Sequence, residues 1–406
     1  MQLSDHVLCN LVIRGESFRT RVSNIRANGS LVENAESDRG RVLYSAAFRR
    51  LQQKAQVFSL ESNASVRSRL THSLEVSQVG RYISDKIVEL AEIKNPEISR
   101  SLAIFVETAC LDHDIGNPPF GHFGEAAIQQ WFDKNGSDLL KLALPKNPKN
   151  SKLLNDFIEF DGNPQGLRIL SKLQWNNDQH SLNLTTTSLL SCLKYLRCAG
   201  EKKKNSPLYK KAGFFSTESA LIKHCWGEHG ISNENPHRFP LASIMEAADD
   251  ISYCISDLED SVEKGIVSLS HAANWISQKW EAKRGAVTTD YACSEVNAAI
   301  YKIQNEWGGF LEASDCSYTF TDFRTSTTRF LVYYAAKNFV ALANAGNEIA
   351  TLLPENSAAT IFLEILKDYC RENVYCNEKV QLIEYAGYTA IAGLLEIFKP
   401  LLSNHA

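Results

Sequence analysis

The stretch SRSLAIFVETACLDHDIGNPPFGHFGEAAIQQWF (residues 99–132) decides the fold. Leu102, Val106, Ala109 and His113 recur at i, i+4, i+7 and i+11, one face of an α-helix. Two glycines and two prolines in GNPPFG (116–121) forbid continuation, and GHFGEAAIQQWF then restarts a helix. Upstream, SRLTHSLEVSQVGRYISDKIVELA (68–91) sets His72, Val76, Val79 and Ile83 on one helical face. Downstream, MEAADDISYCISDLEDSVEKGI (245–266) carries an apolar stripe of Ile251, Ile255, Leu258 and Val262. Convincing strand alternation is absent; SYTFTDF (317–323) is the best candidate. The expected fold is therefore all-α, with surface loops at 145–153, 199–214 and 283–290.

The same phases aim chemistry inward. His72 and His113 fall on the core sides of their helices, where an unpaired imidazole is costly. A single core histidine bonded to a carbonyl needs no further explanation. Two of them, with Asp114 directly after His113, point to a cation of borderline hardness. A second stripe on the third helix, Asp249, Tyr253, Asp257 and Asp260, lines up like charges at i, i+8 and i+11, which repel without a cation or donor among them. Asp249 shares a face with Tyr253, whereas Asp250 lies ~100° round the helix, so Asp249 is the expected fourth ligand. Two His and two Asp leave room for water in an octahedral shell, which suits Mg, Mn, Fe, Co or Ni better than a closed structural zinc. The expectation is a metal-dependent hydrolase.

Composition bounds the class. Of 406 residues, 44% are hydrophobic and 22% charged, ordinary for a globular protein with a real core. The formal net charge of -4 excludes a whole-molecule attraction to nucleic acid, so an anionic substrate needs a local basic cluster. Lys202, Lys203, Lys204, Lys210 and Lys211 form the one such cluster, equally well read as a solvated loop. Ten cysteines lie scattered with no CxxC pair, which fits reduced thiols. The first residues lack a basic-then-apolar layout, and no apolar run reaches ~18 residues, so a cytoplasmic protein without membrane contact is expected.

Beyond the metal, His122 is the expected leaving-group acid: it follows the Gly/Pro turn, and Glu125 one helical turn on can orient its ring for proton donation. Phosphate clamps call for arginine, whose fork matches phosphate oxygens. Arg69 precedes His72 by three residues, and Arg324 with Arg329 in FRTSTTRF (323–330) offer a second pair.

Taken in order, ESDRGRVLYSAAFRRLQQKAQVF (36–58), RSRLTHSLEVSQVGR (67–81), HDIGNPPFGHFGEAAI (113–128), FDGNPQGLRIL (160–170) and EAADDISYCISDLEDSV (246–262) resemble the HD-superfamily deoxynucleoside triphosphate triphosphohydrolases, in particular the bacterial dGTPases. A bare His-Asp pair is a weak match; five motifs in the right order are a strong one. The resemblance implies that His72, His113, Asp114 and Asp249 bind the metal, that His122 and Glu125 are catalytic, and that Tyr253 lies under the sugar and phosphate. It implies a grip on the deoxyribose 3′-hydroxyl by Gln56 and Asp257, and phosphate contacts from Arg69, Arg324, Lys194 in CLKYL and Lys211 in KKAGFF. Asn117 stands where some relatives carry a histidine, and FDGN replaces the commoner FEGN.

The implied reaction is hydrolysis of dGTP, or another dNTP, to deoxynucleoside and inorganic tripolyphosphate by water attack on the α-phosphorus. The implied partners are a dNTP or single-stranded DNA as effector and further copies of the chain, up to a hexamer. The expected division is an N-terminal segment packing on the core (1–45), an HD core (46–290), and a C-terminal helical region contributing to the active site and to oligomer contacts (291–406). The rival readings are an HD phosphohydrolase of nucleoside monophosphates or cyclic nucleotides, which would not need the Gln56/Tyr253/Asp257 grip, and a single-stranded-DNA-binding regulatory protein.

Overall fold

In a computed structural model, the described residues are 19–21, 29–60, 63, 65–144, 149–174, 180–287, 292–307 and 316–403. Among them fifteen α-helices carry the fold. They are α1 (Leu31–Leu43), α2 (Ala46–Arg50), α3 (Arg69–Leu90), α4 (Pro96–Asp112), α5 (Gly121–Ala143), α6 (Asn150–Ile158), α7 (Gly162–Arg168), α8 (Thr186–Ser191), α9 (Ser219–Glu228), α10 (Pro240–Glu263), α11 (Leu269–Lys283), α12 (Ala292–Trp307), α13 (Cys316–Asn344), α14 (Ala358–Asn373) and α15 (Glu378–Ser403). The only sheet among the described residues is a parallel pair, β1 (Arg197–Cys198) and β2 (Ala212–Phe214). No helix among the described residues is long and apolar enough to cross a membrane.

The central helices begin where their sequences say they should. Ser68 caps α3 in a capping box with Thr71, Asn95 caps α4 ahead of Pro96, and Pro240 opens α10. α3, α4 and α10 pack mutually. Val76, Ile83 and Ile87 of α3, Leu102, Phe105 and Val106 of α4, and Ile251, Ile255 and Leu258 of α10 are buried between them. α3 crosses α4 closely at Gly80, where a Cβ would stand 2.6 Å from Cys110 Sγ. A side chain there would push apart the two helices that carry His72 and His113.

Of the N-terminal segment, 1–18 and 22–28 lie outside the described residues. α1 packs on α4, and Arg19 bonds to the fully buried Asp38 at 2.5 Å.

Three local expectations are corrected. SYTFTDF is not a strand; it lies in α13, because Phe320 and Phe323 share a buried face at helical i, i+3 spacing. The expected loop at 145–153 gives way to α6 from Asn150, although 145–148 lie outside the described residues. The 199–214 stretch is not a surface insertion, since its end forms β2 with Ala212 and Phe214 buried. That pairing splits the lysine cluster: Lys202, Lys203, Lys204 and Lys210 are exposed, whereas Lys211 turns inward.

Candidate metal centre and nucleotide cleft

His72 comes from the first turn of α3, His113 is the residue on which α4 ends, and Asp114 follows as the chain leaves the helix. Their ligating atoms lie within 4.8 Å of one another. Asp249, in the middle of α10, brings Oδ1 to 3.3 Å from His72 Nε2 and 3.5 Å from His113 Nε2. His113 Nδ1–H donates to the Cys110 carbonyl at 2.6 Å, which leaves the Nε2 lone pair facing the cluster. That Nε2 is buried and has no hydrogen-bond partner. Donors around a cation held at ~2.1 Å stand ~3 Å from their cis neighbours, so the spacing and the orphaned nitrogen both fit a divalent ion. Burial alone would raise the Asp114 and Asp249 carboxyls. Arg69 and His113 outweigh it at Asp114; His113, His72 and Lys194 do so at Asp249, and both stay ionised. Arg69 Nη1 and Asn117 Nδ2 each bond a different oxygen of Asp114 and fix its plane. Asp250 turns away and pairs with Lys367 at 3.3 Å.

The cluster opens into a cleft of about 630 Å³, within the size range of small-molecule sites. His122 stands on its rim, with its side chain 84% exposed and Nδ1 at 2.7 Å from the nearly buried Glu125. The turn before it is forced: Phe120 has φ +62° and Gly121 φ +49°. The other Glu125 oxygen accepts from Gly162 N–H at 2.8 Å, so the FDGN motif anchors the carboxylate that holds His122. Gly162 is required there, since a Cβ would fall 1.7 Å from Asn117 Oδ1. Asp161 in the same motif caps α7 and binds Lys211 Nζ at 2.6 Å. Burial opposes ionisation of Asp161, but Lys211 prevails and its carboxyl stays below the ordinary range.

Gln56 also lines the cleft, with a buried Oε1 that has no partner. Tyr253 lines it too, and its hydroxyl donates to Tyr375, whose hydroxyl donates to Asp257, both at 2.5 Å. Asp257 itself is buried beneath Tyr375 and does not line the cleft. Burial pushes its carboxyl up to about 7, with Tyr375 and His72 opposing.

Lys194 lies in the cleft, 3.7 Å from Asp249 Oδ2. Arg324 does not: it bonds Glu259 at 2.7 Å and is not on the lining, and neither is the exposed Arg329. The α10 carboxylates Glu259 and Asp260 are held by Arg67, just ahead of the α3 N-cap, and Arg324 bonds Glu259 as well. Lys367, Arg371 and Tyr375 are cleft residues that sequence reasoning missed. Lys367 and Arg371, at i, i+4 spacing in the last turns of α14, were a readable basic pair, whereas Tyr375 lies past the helix end and no helical period reports it.

A helical core that carries two inward histidines, an adjacent His-Asp pair and a bonded His-Glu pair on one cleft has the layout of a phosphohydrolase of the HD class, and residues 69–155 match the HD domain family. The deoxyguanosinetriphosphate triphosphohydrolase of Yersinia pestis (strain Pestoides F) is 42% identical over 403 residues, covering 91% of this chain and 77% of its own. That of Serratia proteamaculans (strain 568) is 39% identical over 407 residues, with 92% and 78% covered. A probable one from Pseudomonas aeruginosa is 38% identical over 396 residues, with 92% and 77% covered. The chain belongs to the deoxyguanosinetriphosphate triphosphohydrolase family.

Proposed function

We propose that this chain hydrolyses dGTP, and other dNTPs with it, to the deoxynucleoside and inorganic tripolyphosphate. The observation that carries this reading is the His122–Glu125 dyad sharing one cleft with the His72/His113/Asp114 cluster. His72, His113, Asp114 and Asp249 would hold a divalent cation, Mg or Mn first, with Fe, Co or Ni as alternatives. When bound, such an ion supplies Lewis-acid polarisation of the phosphate and acidifies water.

The chain's own residues do the rest. Arg69, Lys194 and Lys211 neutralise the triphosphate and set the α-phosphorus in line with water. Water attacks that phosphorus, the bond to the 5′-oxygen breaks, and His122 Nε2 gives the departing oxygen its proton. Glu125 holds the imidazole through Nδ1, so the donor nitrogen faces the cleft. Gln56 and Tyr253 receive the sugar, and Tyr375 transmits the Asp257 carboxylate to it. Close packing by Tyr253 rejects a 2′-hydroxyl. The C-terminal region completes the cleft through Lys367, Arg371 and Tyr375. The same reading carries a cytoplasmic setting, a homo-oligomeric state up to a hexamer, and response to single-stranded DNA or a second dNTP.

Product analysis tests it. With dGTP and Mn or Mg, tripolyphosphate and deoxyguanosine are expected; dGMP with pyrophosphate overturns the assignment. A panel of four dNTPs and GTP, with and without single-stranded DNA, reads base preference and effector together.

A further inference from the structure

Lys54 belongs neither to the ligand cluster nor to the cleft lining, yet it grips the turn that presents Asp114. Its Nζ donates to the Asn117 carbonyl at 2.6 Å and to the Ile115 carbonyl at 3.4 Å. Both oxygens lie in the turn 113–117, by which the chain leaves α4. Inside that turn the Asp112 and Asp114 carbonyls accept from Ile115 N–H at 3.0 Å and Asn117 N–H at 3.1 Å. Pro118 and Pro119 bring no N–H, so the Ile115 and Asn117 carbonyls need a donor from elsewhere in the chain.

The ammonium is kept there at a cost. It is half-buried, and burial together with the nearby Arg69 guanidinium pushes its pKa down to about 8. Lysines ordinarily keep the charged head in water. Backbone bonds fix where this one starts: the Lys54 carbonyl accepts from Arg69 N–H at 2.8 Å, and Ala55 bridges to Ser68, the N-cap of α3. The segment that carries Lys54 is thus fastened to the start of the helix that supplies Arg69 and His72.

We propose that Lys54 is a positioning residue of the metal centre: by holding the Ile115 and Asn117 carbonyls it fixes the turn 113–117 against the start of α3, so that Asp114 faces His72 and His113. The inference rests on the metal-centre reading above. Its route is short. Asn117, whose carbonyl takes the shorter bond from Lys54, gives its side-chain amide to Asp114 Oδ1. Arg69, whose N–H bonds the Lys54 carbonyl, gives its guanidinium to Asp114 Oδ2. Both groups that set the carboxylate plane are therefore reached through Lys54. The turn has one further hold, at Gly116, where a Cβ would stand 2.1 Å from Gly162 O and from Gly166 N in α7. With the ammonium gone, two carbonyls lose their donor and the turn can pivot on Gly116. Groups that orient metal ligands from outside the ligand set are typically worth ~10–100-fold in metal affinity.

The test is Mn titrated into the metal-stripped full chain, with free Mn read by electron paramagnetic resonance. Lys54→Met keeps the aliphatic stem and removes the donor. It is expected to weaken Mn binding ~10–100-fold while the melt in chelator stays cooperative. Lys54→Arg retains a cationic donor and should recover most of that affinity. In Lys54→Met combined with Asn117→Ala the two losses should overlap, because both act through one turn. A wild-type chain that takes up no Mn overturns the metal centre itself. Wild-type uptake with unchanged affinity in Lys54→Met overturns the positioning role alone. So do losses that add in full in the double variant, or an arginine variant as weak as the methionine one. A Lys54→Met chain without a cooperative melt in chelator assigns the residue to the fold, and overturns the positioning role as well.

Discussion

Replacing Asp257 by asparagine should make the protein more stable, and more so as pH rises. The carboxyl is wholly buried, and burial lifts it from the ordinary 3.8 to about 7. A folded-state value above the unfolded one means stability fully present below the unfolded value and lost as pH climbs through the folded one. The unfolded chain releases its proton near pH 4, while the folded chain keeps it to near neutrality. A rise of about three units corresponds to ~4 kcal/mol lost between pH 4 and pH 8. The substituted amide is neutral throughout, and its oxygen can still accept from Tyr375. The gain for Asp257→Asn is therefore near zero at pH 4.5 and ~2–4 kcal/mol at pH 8, allowing for relaxation around the charge. Urea unfolding of the two proteins in chelator, from pH 4.5 to 8, reads it directly. A difference that fails to grow with pH, or a less stable variant at pH 8, refutes the reasoning. If Asp257 steadies the sugar through Tyr375, the same variant shows a raised KM, stability and binding moving in opposite directions.

Other outcomes follow from the site. His122→Ala should lower kcat by ~10²–10⁴ while metal per chain, read by elemental analysis, stays at the wild-type level; loss of metal would contradict the acid role. Asp249→Ala removes the carboxylate that sits 3.3 and 3.5 Å from the two imidazoles, so bound metal should fall to background with the melt still cooperative. Retention of a full equivalent would show that the other three residues suffice. Gly387→Ala sets a Cβ 2.2 Å from the Phe120 ring, so α15 must shift or Phe120 must turn. A cost of ~1–3 kcal/mol in unfolding is expected, with kcat falling alongside because Phe120 leads into His122; unchanged melting and turnover would show that the contact is slack.

Periodicity made the helices that matter legible. His72 and His113 share faces with core residues and Asp249 shares a polar stripe with Tyr253, and a 3.6-residue repeat reports both without any tertiary information. The Gly/Pro turn and the His122–Glu125 spacing were equally local, and the structure joins that pair at 2.7 Å. The short alternation at 317–323 misled because two or three residues cannot separate a period of 2 from one of 3.6, and the long apolar run behind it prevailed.

Sequence alone thus determined the all-α class, the metal candidates and the His122–Glu125 pairing, since each is a matter of residue type and spacing within one helix or turn. What only the tertiary structure decided depends on helices far apart in the chain. Asp257 lies under Tyr375, 118 residues later, so the hydroxyl and not the carboxylate meets the cleft. Arg324 is drawn to Glu259 across two helices, and Lys211 is separated from its lysine neighbours by a two-stranded pairing. Long-range packing sets which charge finds which partner, and in a buried site the partner decides whether a side chain binds, orients or merely holds the fold.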